Sequence, residues 1–322
     1  MANLLATRDL EAKYREIIKT HLAAPAMPRP DKGTRREEPK SQLEQIIVQS
    51  AAPGRESQRL AMVRAMLVHL EMSDRLNDRV FLLRQLAVVG REEAVRPLAQ
   101  LVKTADHPVV REYALGALER NSAPSASRAL VEALREAKEP EGRIAIAGAL
   151  GRRRRSDGPE SVALAALLRD SDLKVAAAAA MALGSIGTPR DVESLLDEAR
   201  KARKELLPAL HEAILVGAER LCERGQKDAA LAAYREVRAA AANPLVKMSA
   251  LRGMVLSKPG EAVPAVIEAL KSDDPETQAW AARLAVDIPG GEATEAFRVA
   301  LPQLAASARA FLSDALAERE TK

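Results

Sequence analysis

The chain has 322 residues, of which 47% are hydrophobic and only 2% are aromatic. A core with so few rings must be built from Ala, Leu, Val and Ile, and its many alanines favour closely packed helices. The formal net charge is +4, but residues 1–40 hold nine basic and six acidic side chains, while the rest of the chain holds 40 and 39. Because this larger part is nearly neutral, overall basicity does not indicate nucleic-acid binding.

A single cysteine, Cys222, limits the covalent and metal chemistry of the chain. One thiol forms neither an internal disulfide nor a zinc site built from cysteines. The first residues lack the basic region and long apolar core of a secretory signal. No apolar run approaches the roughly 18 residues that a membrane helix needs. We therefore expect a cytoplasmic protein with no membrane partner.

Residues 1–22 are predicted to form an N-terminal amphipathic helix. Thr7 can cap a helix over residues 7–22, whose apolar face follows helical spacing. The residues of this face are Leu10, Tyr14, Ile17, Ile18 and His21. The sequence leaves open whether this helix packs on the first repeat as a cap or docks on a partner or a second copy.

Residues 23–40 contain four prolines and little apolar content, which is typical of a flexible linker. We expect a repeat solenoid over residues 41–322, entered by a short helix at 41–52. Its first helical pair, at 56–71 and 75–90, matches the repeat poorly, as terminal units often do. The predicted packing face of the second helix in this pair consists of Leu76, Val80, Leu83, Ala87 and Val88.

One segment recurs along most of the chain at intervals of about 31 to 33 residues, which indicates stacked supersecondary units. The copies begin at His107, Glu139, Asp172, Asn243 and Asp274. Asp and Asn can cap a helix, and the Pro that follows in four copies is tolerated at the first helical position. Apolar residues then fall three and four apart, as at Val175, Ala179 and Ala182, on one helical face.

A second helical pattern precedes these segments. It occupies residues 93–102, 160–168, 261–270 and 292–301. Each unit is therefore helix, short turn, helix, and two such short helices bury their apolar faces only against neighbouring units. The predicted fold class is all-α, a right-handed α-α superhelix of about eight helical pairs. It ends in a helix at 305–318 and a polar tail at 318–322.

One irregularity interrupts the array, because the Asp172 and Asn243 copies are 71 residues apart. The interval fits one intervening unit with several extra residues. It contains a predicted long helix at 203–224, in which Pro208 either bends the helix or lies near its start. Residues 225–237 resemble the second helix of a tetratricopeptide unit. Such an irregular unit either shapes a binding groove or is a neutral variation in length.

The chain resembles the HEAT-repeat family, particularly the short bacterial HEAT-like repeats also found in phycobilisome lyases. The resemblance rests on the Asp/Pro turns, on the Val110–Arg111 pair and on the Ala-Leu-Gly endings at 149–151 and 182–184. It covers residues 56 to 319. It implies a solenoid that displays a long binding surface, and it leaves the function open because a fold does not fix a function.

No catalytic, cofactor-binding or metal-binding residues are predicted. The four histidines are scattered over separate units, and no phosphate-binding glycine motif or cysteine pair is present. A HEAT-repeat enzyme family, deoxyhypusine hydroxylase, binds a di-iron centre through several His-Glu dipeptides, whereas this chain has only His211–Glu212. We therefore expect no cofactor and no enzymatic activity. The alternative is an enzyme or enzyme subunit of the lyase or DNA-glycosylase type.

Four adjacent arginines are predicted to lie in a loop between repeats. They are Arg152, Arg153, Arg154 and Arg155. Such a run can bind phosphate groups or an acidic protein surface, or it can be a solvated loop. No interspersed aromatic residues are present to stack on bases, so recognition of single strands is disfavoured.

A row of basic residues along the second helices of the repeats is the other candidate site. Arg111, Arg143 and Lys247 occupy one repeat position, and we expect Arg111 and Arg143 to bond to neighbouring acidic turns. Arg252 and Arg283 lie farther along their helices. They are the better candidates for contact with a partner.

The function predicted from these patterns is a non-catalytic, protein-binding scaffold that uses the concave face of the solenoid. The partner is a protein of unknown identity. The alternative is a nucleic-acid binder that uses the arginine loop and the basic N-terminal tail.

Overall fold

The computed structural model describes residues 2–23, 42–154 and 158–321. The chain divides into two compact units, Met1–Arg153 and Arg154–Lys322. The helices of the first unit are α1 (Ala2–Ala23), α2 (Gln42–Ser50), α3 (Glu56–Met72), α4 (Leu76–Val89), α5 (Glu92–Thr104), α6 (Pro108–Arg120), α7 (Pro124–Glu136) and α8 (Pro140–Arg153).

The second unit contains ten α-helices and a short 3-10 turn at Leu301–Gln303. The α-helices are α9 (Glu160–Leu167), α10 (Leu173–Ile186), α11 (Pro189–Ala199), α12 (Leu207–Glu223), α13 (Lys227–Ala240), α14 (Pro244–Ser257), α15 (Pro259–Leu270), α16 (Pro275–Asp287), α17 (Gly291–Ala300) and α18 (Ala306–Thr321).

Consecutive helices form pairs, and within each unit the pairs stack in two rows. The odd-numbered first helices pack on one another, as α5 does on α3 and α7, and the even-numbered second helices do the same. No strand occurs among the described residues, and the all-α solenoid prediction is confirmed. The described residues form nine pairs rather than about eight, because α1 and α2 pack on α3 and α4.

The starts of the second helices agree with the repeat pattern. The side chains of Asp172, Asn243 and Asp274 each accept a hydrogen bond from a backbone amide of the first turn. The Nδ1 atom of His107 does the same for the amide of Val109, at 3.2 Å. Each cap satisfies an amide that has no partner within the helix, which fixes where the helix begins.

Helix α1 packs along α3 in the first unit. Ile18 is fully buried, and the His21 and Phe81 rings lie 5.5 Å apart. The His69 ring forms a hydrogen bond with the backbone carbonyl of Arg15 at 2.9 Å. Apolar contacts and a hydrogen bond from the His69 ring to the α1 backbone therefore hold α1 against α3.

Three details of the predicted helices are wrong. Helix α1 begins at Ala2, so Thr7 lies inside it rather than capping it, and α18 continues to Thr321 where a polar tail was predicted. Val88 is 70% exposed, because the buried face of α4 is centred one residue away from the predicted face. That face consists of Leu82, Leu83, Leu86 and Val89. The predicted linker at residues 23–40 lies, apart from Ala23, outside the described residues.

The irregular interval contains a close approach of two helices. A Cβ atom at Gly184 of α10 would lie closer than 3.0 Å to the carbonyl oxygen of Ala213 in α12. A Cβ atom at Gly217 of α12 would also lie closer than 3.0 Å to the Val192 side chain. Pro208 lies in the first turn of α12, so it starts this helix rather than bending it. The two glycines let the backbones approach to a distance that any larger residue would prevent.

A buried arginine joins three elements at the N-terminal end of the array. The side chain of Arg59 is only 4% exposed. It donates to the Val89 carbonyl at 2.9 Å and to the carboxylates of Glu93 and Glu56 at 2.5 and 2.6 Å. Burial alone would raise the pKa of Glu93, but hydrogen bonds from Arg59 and from backbone amides hold that pKa below its ordinary value.

We expect Glu93→Gln to destabilise the fold at neutral pH and to have a smaller effect in acid. A carboxylate whose folded-state pKa is depressed contributes stability above its unfolded value of 4.5, and this contribution disappears as the pH falls through the lower folded value. Urea unfolding of both proteins between pH 7 and pH 3 would measure the difference. A difference that stays constant down to pH 3 would contradict this explanation.

Candidate functional site

Polar side chains at the C-terminal ends of second helices connect successive repeats. The Asn121 amide donates to the Arg91 carbonyl at 2.9 Å. The Arg319 guanidinium donates to carbonyls of Ala285, Ile288 and Gly290 in the preceding repeat. These carbonyls lie in the last turn of a second helix or in the segment just after it, where helical amides no longer supply every partner. At these two junctions, a side chain of one repeat therefore caps the repeat before it.

Arg153 has the same capping role, which corrects the prediction of four equivalent arginines in a loop. It is the last residue of α8. Its Nη1 donates to the carbonyls of Leu118, Glu119 and Asn121 at 2.5, 2.9 and 2.7 Å, and its Nε donates to Ser127 at 3.1 Å. The guanidinium is therefore already occupied inside the first unit.

The other three arginines of the run have different surroundings. Arg152 also belongs to α8, and it is exposed and pairs with Glu119 at 2.8 Å. Arg154 lies in the turn after α8 with a φ of 49°, and Arg155 lies outside the described residues. The four arginines therefore do not share one loop. Helix α8 continues through Arg153, where a loop was predicted, so Arg152 and Arg153 are helical and Arg154 lies in the turn that follows.

The position that Arg111 occupies also serves the fold. Its Nη1 donates to the Ala105 carbonyl in the turn before its own helix, at 2.6 Å. Gln278 makes the equivalent bond to Ser272, also at 2.6 Å. The partner of Arg111 is thus a backbone carbonyl of the acidic turn that contains Asp106. Arg143 is half-buried in α8.

Arg252 and Arg283 occupy equivalent positions on α14 and α16, two second helices that pack against each other. Both are exposed. Neither forms a hydrogen bond or an ion pair within residues 42–154 and 158–321. Lys247 is also exposed, but helical spacing places it on a different side of α14 from Arg252. Arg252 and Arg283 therefore present two unoccupied guanidinium groups on one face.

Apolar side chains surround these two arginines, and the sequence analysis missed them. Leu245 and Leu256 of α14 are 67% and 61% exposed. They share a helical face with Arg252, being seven residues before it and four after it. On α16, Trp280 is half-buried and precedes Arg283 by one turn. We call these five residues the α14–α16 surface. The spacing of Leu245, Arg252 and Leu256 was the available signal.

His211 and Cys222 both lie on α12, which packs against α14. Burial lowers the pKa of His211 and raises the pKa of the Cys222 thiol. Over the residues that the structure describes, no group of three His, Cys, Asp or Glu residues is placed to hold a metal ion. Over the same residues, no helix is both long and apolar enough to span a membrane.

Comparisons with known proteins concern the fold. A family model described as HEAT repeats matches residues 65–151 and 127–214. No curated protein matches the chain significantly. Among solved structures, human deoxyhypusine hydroxylase in complex with glycerol is 20% identical with a TM-score of 0.38, and the match covers 72% of this chain and 97% of that one.

Two further structures have comparable similarity. An engineered protein is 17% identical with a TM-score of 0.38, over 98% of this chain and 94% of its own. The complex of CpcE and CpcF of phycocyanin lyase from Nostoc sp. PCC7120 is 15% identical with a TM-score of 0.34. That match covers 91% of this chain and 99% of that chain.

The prediction that the chain is not an enzyme is wrong as a conclusion from its fold. The similar structures include proteins named as a hydroxylase and as a lyase, so a chain of helical repeats does not exclude catalysis. At these identities and TM-scores, neither structure assigns an activity to this chain. The predicted resemblance to HEAT repeats, by contrast, is confirmed over residues 65–214, where the HEAT-repeat family model matches the chain.

Proposed function

We propose that the chain binds a segment of another protein on the α14–α16 surface. The observation that carries this proposal is the pair of unoccupied arginines, Arg252 and Arg283, among the exposed apolar residues of that surface. Arginine and aromatic residues with apolar neighbours are enriched where proteins bind one another. The charge favours an acidic segment. A cytoplasmic location remains a prediction from the sequence.

The arginine run supports the nucleic-acid alternative less well than the sequence suggested. Arg153 is occupied by backbone carbonyls and Arg152 by Glu119. Phosphate binding needs basic side chains that are free to neutralise phosphate groups and so displace the counterions of the nucleic acid. Because two of the four arginines are already paired, a protein partner is favoured over a nucleic acid.

We expect Arg252→Glu combined with Arg283→Glu to weaken capture of the protein partner by on the order of tenfold, about 1.4 kcal/mol. The measurement is affinity capture by the intact tagged chain from native lysate, with protein and nucleic acid both quantified. Reversing the charge of two exposed side chains repels an acidic segment and leaves the fold intact.

Lys247→Glu combined with Arg190→Glu is the matched control. Both residues are exposed, the change in net charge is the same, and neither belongs to the α14–α16 surface. Capture that depends on the first pair and not on the control pair supports the proposal. Equal capture by all three proteins, or capture of nucleic acid that nuclease abolishes, would overturn it.

A further inference from the structure

The seam between α12 and α14 contains a tyrosine from the first-helix row. The ring of Tyr234 in α13 lies closer than 3.0 Å to where a Cβ atom at Gly253 of α14 would be. Only glycine leaves room for the ring at this point. Tyr234 is 6% exposed, and among the described residues its hydroxyl has no hydrogen-bond partner. The hydroxyl oxygen is not fully buried, so it is accessible to solvent.

Opposite charges act on this hydroxyl from the two helices. Burial raises the pKa of the Tyr234 phenol most, Cys222 and Glu219 of α12 add to the rise, and Arg252 of α14 opposes it. Both charged residues are exposed and form no ion pair within the described parts of the chain. The two helices that form the seam, which pack against each other, therefore carry an exposed acidic side chain on one side and an exposed basic side chain on the other.

The acidic side of the seam extends along α12. Glu212 and Glu219 are both exposed, and a spacing of seven residues places them on one face of the helix. Glu223 continues the same face but pairs with Arg220 at 2.7 Å. On the other side, Arg252 lies between the exposed Leu245 and Leu256. The seam thus has an acidic wall and a wall that is apolar and basic.

The backbone of the seam indicates the shape of its occupant. Both walls are helices whose backbone groups are bonded internally, so they offer no free edge to an extended strand. A helix suits such walls because its backbone hydrogen bonds are already satisfied within itself. An amphipathic helix can place an apolar stripe on the leucines and charged residues along both edges.

We propose that this seam binds an amphipathic helix of a partner protein, with the acidic edge of the helix on Arg252 and its basic edge on Glu212 and Glu219. This inference rests on the proposed function and specifies the partner. The bound helix can lie in only one direction. If the helix were reversed, its acidic edge would face the acidic wall and its basic edge would face Arg252.

Labelled synthetic helices of about 18 residues, roughly 27 Å long, provide the test. All carry the same leucine stripe; one has a Glu edge and a Lys edge, one has Glu on both edges and one has Lys on both. Fluorescence anisotropy with the full chain should show the mixed peptide binding about tenfold more tightly than either uniform peptide. Equal affinity for the three peptides, or no binding of the mixed peptide, would overturn the inference.

The variant Glu212→Lys with Glu219→Lys provides a second readout. Its seam is basic on both walls, so preference should change from the mixed peptide to the all-Glu peptide. An unchanged order of affinities contradicts the inference. If capture of the natural partner depends on Arg252 and Arg283 while the peptides show no preference, the inference of an amphipathic-helix site is wrong and the proposed function stands. If capture does not depend on these arginines, the proposed function itself fails.

Discussion

Gly184→Ala should lower the free energy of unfolding by about 2 to 3 kcal/mol, although it adds a single methyl group. The new Cβ atom would lie closer than 3.0 Å to the Ala213 carbonyl oxygen. That oxygen belongs to the backbone of α12, so relief requires the two helices to separate. Separation would loosen the contact between α10 and α12, whose facing residues include the fully buried Ala180 and Ala213. Urea unfolding followed by far-ultraviolet circular dichroism would measure the change.

The matched control is Gly116→Ala in α6. A Cβ atom at Gly116 would meet nothing within 4 Å. Since alanine is favoured over glycine inside a helix by about 0.5 to 1 kcal/mol, this variant should be slightly more stable than the unsubstituted chain. The same substitution is thus expected to have opposite signs at the two positions. Equal effects would mean that the close approach of α10 and α12 does not contribute to stability as described.

Arg153→Met should destabilise the chain by about 2 to 4 kcal/mol, because it removes a charged donor that satisfies several carbonyls at once. The carbonyls of Leu118, Glu119 and Asn121 accept hydrogen bonds from this guanidinium. Methionine retains most of the apolar stem, so the loss measures the hydrogen bonds more than the packing. The same denaturation experiment provides the value.

Arg152→Met is the neighbouring control. Arg152 is exposed and, among the described residues, pairs with Glu119, and an exposed ion pair contributes about 0 to 1 kcal/mol. If the two variants lose similar stability, Arg153 does not act as the cap between repeats. A large loss for Arg153→Met alone would show that adjacent arginines in this run have separate roles.

The helix starts could be predicted from the sequence because capping is local. Asp172 and Asn243 accept hydrogen bonds from amides two or three residues away, so the residues that make the contact are neighbours in the chain. Pro244 follows the same logic, since a proline in the first turn interrupts no helical hydrogen bond. Such features require no knowledge of what lies across the fold.

The buried faces were less predictable where a helix touches several neighbours. In α4, Leu86 is buried and Val88 is exposed, although both are apolar and only two residues apart. Helix α4 contacts α2, α3 and α6, so its burial depends on the rotation of the helix rather than on its composition. Leu245 and Leu256 are a further example, because they too are apolar and exposed.

The sequence by itself determined that this chain is a stack of helical pairs, where most of those helices begin, and that its core is rich in alanine. Helical period and capping act over a few residues, so a linear pattern records them. Only the tertiary structure decided which arginines are available. Arg153 and Arg252 are both arginines on second helices, yet one is used by carbonyls more than 30 residues away and the other remains unoccupied. A side chain's partners depend on distances between repeats, and no local pattern contains those distances.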